Sequence, residues 1–469
     1  MTYQQLLKAN ANFRRLWTGQ VISEIGDWLN NIAVLALTIE LAGAGREGLA
    51  IAIYAISRHL PLFLFGPLAG VVVDRADRRR VMIVADLARA LLALGFLLAG
   101  RMAALPIIYL VGATLFAVSA FFNAAKRASI PNIVHGPAEL LTANSLSAST
   151  TAATIALGSA LGGVIATFAG RDTVFILNSV TFLASAEMIR RLSVARRRES
   201  AQARRDETQR ESVAWDEGGK RAQGQTLSRA VNTSTPHSTP RFRAALRRAA
   251  ADFREGLNYV RRVRILSAIF IVAAGWGLGN GVARALYSIF GARLGEAAAT
   301  GLVARPTDFG ISVLFVAMGL GGVIGAPIAR RFNAASSEAL GSRMGRSMVF
   351  DGCGLALFSL MPTLWGAALV LVAREINFAI WWTAQQTIMM TRTDDRYAGR
   401  VFASYETLTT LMMVGSMLIS GAAADTYGIR PVAATGGAVI ALSGLLWFLL
   451  RRRQSAGSPA SSGAEELSS

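Results

Sequence analysis

The chain has 469 residues, of which 53% are hydrophobic and only 16% charged, and it carries a formal net charge of +19. A soluble domain of this size seldom reaches a mean hydropathy of +0.42, so the composition points to lipid as the solvent and argues against a water-soluble enzyme or a basic nucleic-acid-binding domain. A single cysteine, Cys353, and three histidines leave nothing for a disulfide framework or a Cys/His metal cluster, and no metal is expected.

Apolar blocks run over 17–41, 48–73, 81–100, 104–124, 142–169, 173–192, 265–291, 308–329, 347–362, 364–390, 402–424 and 431–450. All but 347–362, which has 16 residues, have 20 or more, enough to cross roughly 30 Å of hydrocarbon. The expected fold is an all-α membrane protein of twelve transmembrane helices in two six-helix bundles, 1–193 and 263–453. A cytoplasmic linker at 194–262 joins them and a short tail follows at 454–469. The N-terminal stretch MTYQQLLKANANFRRLW lacks the apolar core and small-residue cleavage site of a removable leader, so the first block is expected to act as an uncleaved insertion signal.

Block one carries Gln20, Glu24, Asp27 and Asn31 at spacings of four, three and four, which puts all of them on one helix face. An ionisable group at mid-bilayer costs about 2.5–3.5 kcal/mol on insertion scales, so this stripe should line a wet cavity or meet partners. Asp27 and Asn31 fall nearest the middle. On block two, Arg58 beside His59 and Pro61 is the candidate partner for Asp27 or Glu24, and His59 reads as a structural hydrogen-bonder. A buried structural ion pair is the alternative reading for any one of these carboxylates.

Between blocks two and three lies Gly70-Val71-Val72-Val73-Asp74-Arg75-Ala76-Asp77-Arg78-Arg79-Arg80, and block three opens with Asp86 and Arg89. Block five holds Gly158, Gly162 and Gly163, best read as a close-packing face, and block six holds Asn178 and Glu187. The linker is rich in Arg, Ser, Thr, Gln and Gly and is expected to be mostly disordered. Its last part, RFRAALRRAAADFREGLNYVRRVRIL, suits an amphipathic helix on the inner leaflet.

In the second half, Asn280 and Arg284 on block seven and Glu406 on block eleven rank lower as site residues, because Arg284 and Glu406 read as lying near helix ends where long side chains snorkel. Block ten gathers Arg374, Glu375, Asn377, Trp381 and Trp382. Adjacent Arg374 and Glu375 cannot pair well, so at least one of them should reach another helix. The tryptophans fit either an aromatic substrate wall or an interfacial anchor.

Basic residues concentrate in alternate loops, with Arg75, Arg78, Arg79, Arg80, Lys126, Arg127, Arg330, Arg331, Arg343, Arg346, Arg392, Arg396 and Arg400 on one side and Arg451, Arg452 and Arg453 after the last block. Positive charge is retained in the cytoplasm, so both termini are expected there. The halves also echo each other. Leu157-Gly158-Ser159 to Ala169-Gly170 matches Val414-Gly415-Ser416 to Tyr427-Gly428, GPLAG at 66–70 matches GAPIARR at 325–331, and RRRVMIVAD at 78–86 faintly matches GRSMVFD at 345–351.

The loop from Gly70 to Arg80 resembles the signature loop of the major facilitator superfamily, with a glycine ending a helix, an Asp-Arg turn and a basic cluster; Asp77 departs from it where the pattern has glycine. That resemblance implies a conformational latch formed by Gly70, Asp74, Arg75, Arg78 and Arg79 with Asp86 and Arg89. An incidental aspartate in a positively charged loop is the plain alternative. Three further stretches narrow the likeness: Asn12-Phe13-Arg14-Arg15-Leu16-Trp17 with Ser23 and Gly26-Asp27-Trp28, the Asp86 and Arg89 pair, and Glu255-Gly256-Leu257. Together they resemble the macrolide-efflux and enterobactin-exporter branch of drug/proton antiporters. The resemblance implies export of small molecules driven by a proton gradient, with no cofactor, from a monomer in the inner membrane.

No Gly-rich phosphate loop ending in Gly-Lys-Ser/Thr occurs, which argues against an ATP-driven pump, and no nucleophile elbow or metal-spaced histidine pair suggests an enzyme. A facilitator, a lipid flippase and a non-transporting sensor remain as alternatives at this level.

Overall fold

A computed structural model describes residues 2–192, 242–332 and 337–456, and these are helical almost throughout. The first half contains α1 (Tyr3–Ala9), α2 (Ala11–Ala42), α3 (Glu47–Arg75), α4 (Arg78–Arg101), α5 (Leu105–Ile133), α6 (Gly136–Ala169) and α7 (Arg171–Arg190). The second contains α8 (Phe242–Arg262), α9 (Arg264–Ala299), α10 (Pro306–Phe332), α11 (Ser337–Leu360), α12 (Leu364–Arg392), α13 (Asp395–Tyr427) and α14 (Ile429–Ala456). The linker expected to be disordered lies outside the described residues over 193–241, as does the tail over 457–469.

Local chemistry sets the helix ends. Asn10 accepts from the Phe13 amide at 2.9 Å to start α2, Asp77 accepts from the Arg79 amide at 2.9 Å to start α4, and Thr363 and Asp394 do the same for α12 and α13. Gly170 and Gly428 close α6 and α13 with nearly identical torsions, φ 85° and 86°, a left-handed geometry that glycine adopts without strain. These are the two glycines that end the repeated stretches in the sequence, so the internal echo has a backbone counterpart.

Among the described residues, eleven helices are long and apolar enough to cross a membrane. The expected ninth span instead forms α11, a 24-residue helix that falls short in apolarity because Arg343, Arg346 and Asp351 interrupt it. Other boundaries also move outward. The seventh expected span ends at Ala299 rather than near 291, and α5 runs on to Ile133 rather than stopping near 124. The glycine expected to end a helix does not, since α3 passes through Gly70 to Arg75 and a side chain there would meet nothing within 4 Å.

Within the first half α2 packs on α6 and α7, α3 on α5, and α4 on α5 and α7; in the second, α9 packs on α10, α13 and α14, α11 on α12 and α14, and α10 on α12. The halves meet along α6 with α10 and α3 with α13. Small residues make that seam: a Cβ on Gly319 would lie 2.6 Å from Ala156 Cα, and Gly48 meets the Gly421 carbonyl. Large apolar side chains such as Leu91, Phe168, Leu369 and Ile419 stay exposed on the outer surface, where lipid rather than water would cover them.

The two ends of the bundle differ. At one end lie α1, the turns 76–77 and 134–135, and α8, which packs on α13 through a Tyr259–Tyr397 stack at 4.4 Å and a Glu255–Arg400 ion pair at 2.7 Å. We call it the α8 face. There Tyr3 links the halves. Hydrogen bonds from the Arg330 guanidinium, and to a lesser extent with Ser149, hold its hydroxyl below the ordinary phenolic pKa. At the opposite, far face the halves are tied more heavily, as described next.

Candidate functional site

The polar stripe on α2 is one face of the helix, and each rung meets a different neighbour. Glu24 accepts from Gln20 at 2.8 Å, from Thr154 at 3.1 Å and from Thr151 at 3.4 Å, and pairs with Lys126 of α5 at 3.5 Å. Asp27 faces Arg89 of α4 at 3.9 Å. Arg89 also bonds Asp86 and lies between the rings of Phe122 and Phe182, at 4.0 and 4.5 Å. Asn31 accepts from Arg58 of α3, whose guanidinium covers the rings of Trp28 and Phe116, both at 5.0 Å. Gln20, Glu24, Asp27, Arg89 and Lys126 line a cavity of about 80 Å³. Within it Asp27 is 27% and Glu24 20% exposed whereas Asp86 is fully buried. Of the two that solvent can reach, Glu24 is already bonded by Gln20, Thr154 and Lys126, while Asp27 has only Arg89 at 3.9 Å among the described residues.

These positions change several assignments. Arg58 bonds the amide of Asn31 rather than Glu24 or Asp27. Asp86 and Arg89, grouped by resemblance with the surface latch, are buried in the first half beside Asp27. Lys126 was counted as a loop charge, yet the extension of α5 to Ile133 places it inside the helix and against Glu24.

The second half has a matching arrangement. Arg374 on α12 donates to Asp351 of α11 at 2.9 Å and to the Tyr287 hydroxyl, so this arginine does reach other helices. Asn377 donates to the Ser347 carbonyl at 2.8 Å. Glu375 is partly exposed and has no ion-pair or hydrogen-bond partner among the described residues. Trp381 is no interfacial anchor: it is buried against Trp276 at 4.7 Å and Phe378 at 5.6 Å, with Trp382 at 6.0 Å. Asp351, which sequence reasoning used only as part of a repeat, is the counterpart of Asp86, each on the third long helix of its half and each held by an arginine.

The surface loop ties elements of the first half together. Arg78 donates to the Ala128 carbonyl of α5 and Arg79 to the Arg190 carbonyl of α7, whereas Asp74 and Arg75 are exposed and make no ion pair among the described residues. Asp77, the departure from the family pattern, caps α4 and pairs with Arg80 at 3.9 Å.

Sequence reasoning missed the far-face closure. Arg171 at the start of α7 holds Asp308 of α10 through bonds of 2.8, 2.9 and 3.2 Å and also bonds Glu40. The Asp425 carboxylate of α13 caps α3 across the seam, accepting from the Gly48 and Leu49 amides at 2.7 and 2.9 Å, and Arg293 approaches Glu47 at 3.9 Å. The paired residues lie more than a hundred positions apart in the chain, which no local spacing could connect.

Two packed halves of long apolar helices, each holding buried charged groups and joined at the far face by ion pairs, make a multi-pass membrane protein. The chain belongs to the Major Facilitator Superfamily, whose profile matches residues 16–416. It is similar to the uncharacterised MFS-type transporter YfiS of Bacillus subtilis (strain 168), 24% identical over 459 residues, with 95% of this chain and 94% of that protein covered. It is also similar to the putative bacilysin exporter BacE of Bacillus subtilis, 25% identical over 425 residues, covering 88% and 89% of the two chains. A 75-residue stretch, 16% of this chain and 18% of the other, is 35% identical to macrolide efflux protein A of Streptococcus pyogenes. Among solved structures, the nucleoside transporter NupG shares the fold with a TM-score of 0.65 at 10% identity, covering 93% of this chain and 99% of its own. The peptide transporter POT shares it with a TM-score of 0.64 at 11% identity, covering 95% of each.

Proposed function

We propose that this transporter exports small molecules across the inner membrane in exchange for protons, by alternating access between the two halves. The observation that carries the coupling is Asp27, a partly exposed carboxylate facing a buried arginine in the cavity, because such a group can trade a proton against a charged partner. Relatives named as exporters support the direction. On this reading the α8 face, where the basic loops lie, is cytoplasmic, and α11 is the twelfth span: its buried Asp351 is taken up by Arg374 of α12, while the exposed Arg346 lies in the half of the helix nearer the α8 face. The energy source is the proton gradient, with no cofactor, and the working unit is a monomer in a lipid bilayer.

Asp27→Asn should insert and fold normally yet lose proton-driven export while keeping exchange of bound substrate. Flux through inverted vesicles with an imposed pH gradient, with an uncoupler control, measures this; full gradient-driven export by the variant removes Asp27 from the mechanism.

A further inference from the structure

Arg284 was set aside in the sequence as a helix-end residue, but it lies near the midpoint of α9, exposed, with no ion-pair or hydrogen-bond partner among the described residues. The charged and titratable groups within electrostatic range of it are Arg58 and His59 on α3 and Arg374 and Glu375 on α12. Arg374 is already held by Asp351. Arg58 rests on the amide of Asn31 and on two aromatic rings, with no carboxylate bonded to it. Arg58 and Arg284 therefore lie within electrostatic range of each other, one from each half, on helices α3 and α9 that pack together. Repulsion between them is relieved when an anionic group sits between them, and that group would hold both halves at once.

The opposite charge is supplied one helical turn away. Asp27 and Asn31 are four residues apart on α2, so the carboxylate lies about 6 Å along the helix from the amide that carries Arg58. Around Asp27 are Arg89 and Asp86 on α4, Arg58 on α3 and Glu24 on its own helix. Exchange of substrate for a proton requires that the two exclude each other. An anion alone on Arg58 would favour a proton on Asp27, the reverse of what exchange demands, whereas a cationic group set against Asp27 displaces the proton directly. Between the charges, Trp28 of α2 meets Phe315 of α10 across the seam at 6.1 Å, an aromatic surface for an apolar body.

We infer that the transported class is zwitterionic, with a cationic group received by Asp27, an anionic group received jointly by Arg58 and Arg284, and an apolar or aromatic portion against Trp28 and Phe315. This rests on the proton-exchange reading above, and the test separates the two. The purified full-length protein is titrated with three probes of one shape: alanylphenylalanine, its C-terminal amide and its N-acetyl derivative. Binding is followed by tryptophan fluorescence and proton release by a pH-sensitive dye.

The zwitterion is expected to bind at least tenfold more tightly than either singly charged probe and to release protons on binding. Arg284→Gln should abolish the preference over the amide, and Arg284→Lys should retain most of it, which shows that the charge rather than the fold is at issue. Equal binding of the amide or the N-acetyl probe, no binding of any of the three, or a preference unaltered by Arg284→Gln overturns the zwitterion assignment whatever the dye reports. Selective binding that Arg284→Gln removes, but without proton release, upholds the assignment and instead defeats the proton-exchange reading.

Discussion

Asp351 and Arg374 are both almost fully buried, and removing one strands the other. Asp351→Ala would leave Arg374 with only the Tyr287 hydroxyl and the Asp351 backbone, a loss of about 3–5 kcal/mol for a broken buried pair. A melt in detergent should show that drop, and adding Arg374→Met should recover most of it because no charge then remains stranded. The surface loop sorts its two aspartates differently. Asp77→Ala removes the cap of α4 and should cost about 1 kcal/mol, while Asp74→Asn, at an exposed side chain with no bonded partner among the described residues, should leave the melt unchanged. If Asp74→Asn slows transport without a change in stability, a role for this aspartate in the conformational cycle gains support.

At the scale of elements, α8 is held on the end of α13 by an aromatic stack, an ion pair and the Ser404 hydroxyl donating to the Phe253 carbonyl at 3.1 Å. Tyr259→Ala removes a stacked pair worth about 0.5–1.5 kcal/mol, so amide exchange over 253–262 should quicken roughly two- to tenfold while α9 is unaffected. Apolar runs made the long helices readable from the sequence, because in lipid the hydrophobic length of a segment is the main determinant of its path. The same criterion clips polar helix ends. That is why Lys126 and Arg284 were read as loop and helix-end charges, and why α11 looked shorter than it is. The α2 stripe was readable because its four residues share one helix, whereas its partners Arg89 and Lys126 come from other helices that no local spacing could connect.

At the scale of the whole molecule, the ties between the halves at the far face are stronger than the Tyr3–Arg330 contact at the α8 face, and Asp308 is central to them. It is fully buried and takes three bonds from Arg171, while Glu40, the other acceptor of Arg171, is mostly exposed. Asp308→Asn keeps the shape but removes the charge that joins α7 to α10, so the closed far face loses stabilisation that an opened one does not share. A change of about 1.4 kcal/mol in that balance alters the open population tenfold. Ser312 lies just behind this network, donating to the Ser159 carbonyl at 2.6 Å, and reports on whether the seam parts. In a Cys353→Ser background, Ser312→Cys should react slowly with an impermeant thiol reagent added at the far face, and roughly tenfold faster once Asp308→Asn is added. Asp425→Asn should act in the same direction but less, since its carboxylate meets backbone amides of a partly exposed helix start rather than a buried guanidinium. Labelling that stays equally slow in both variants would place the barrier to opening in the glycine-lined packing of α6 on α10 and α3 on α13 instead of in the ion network.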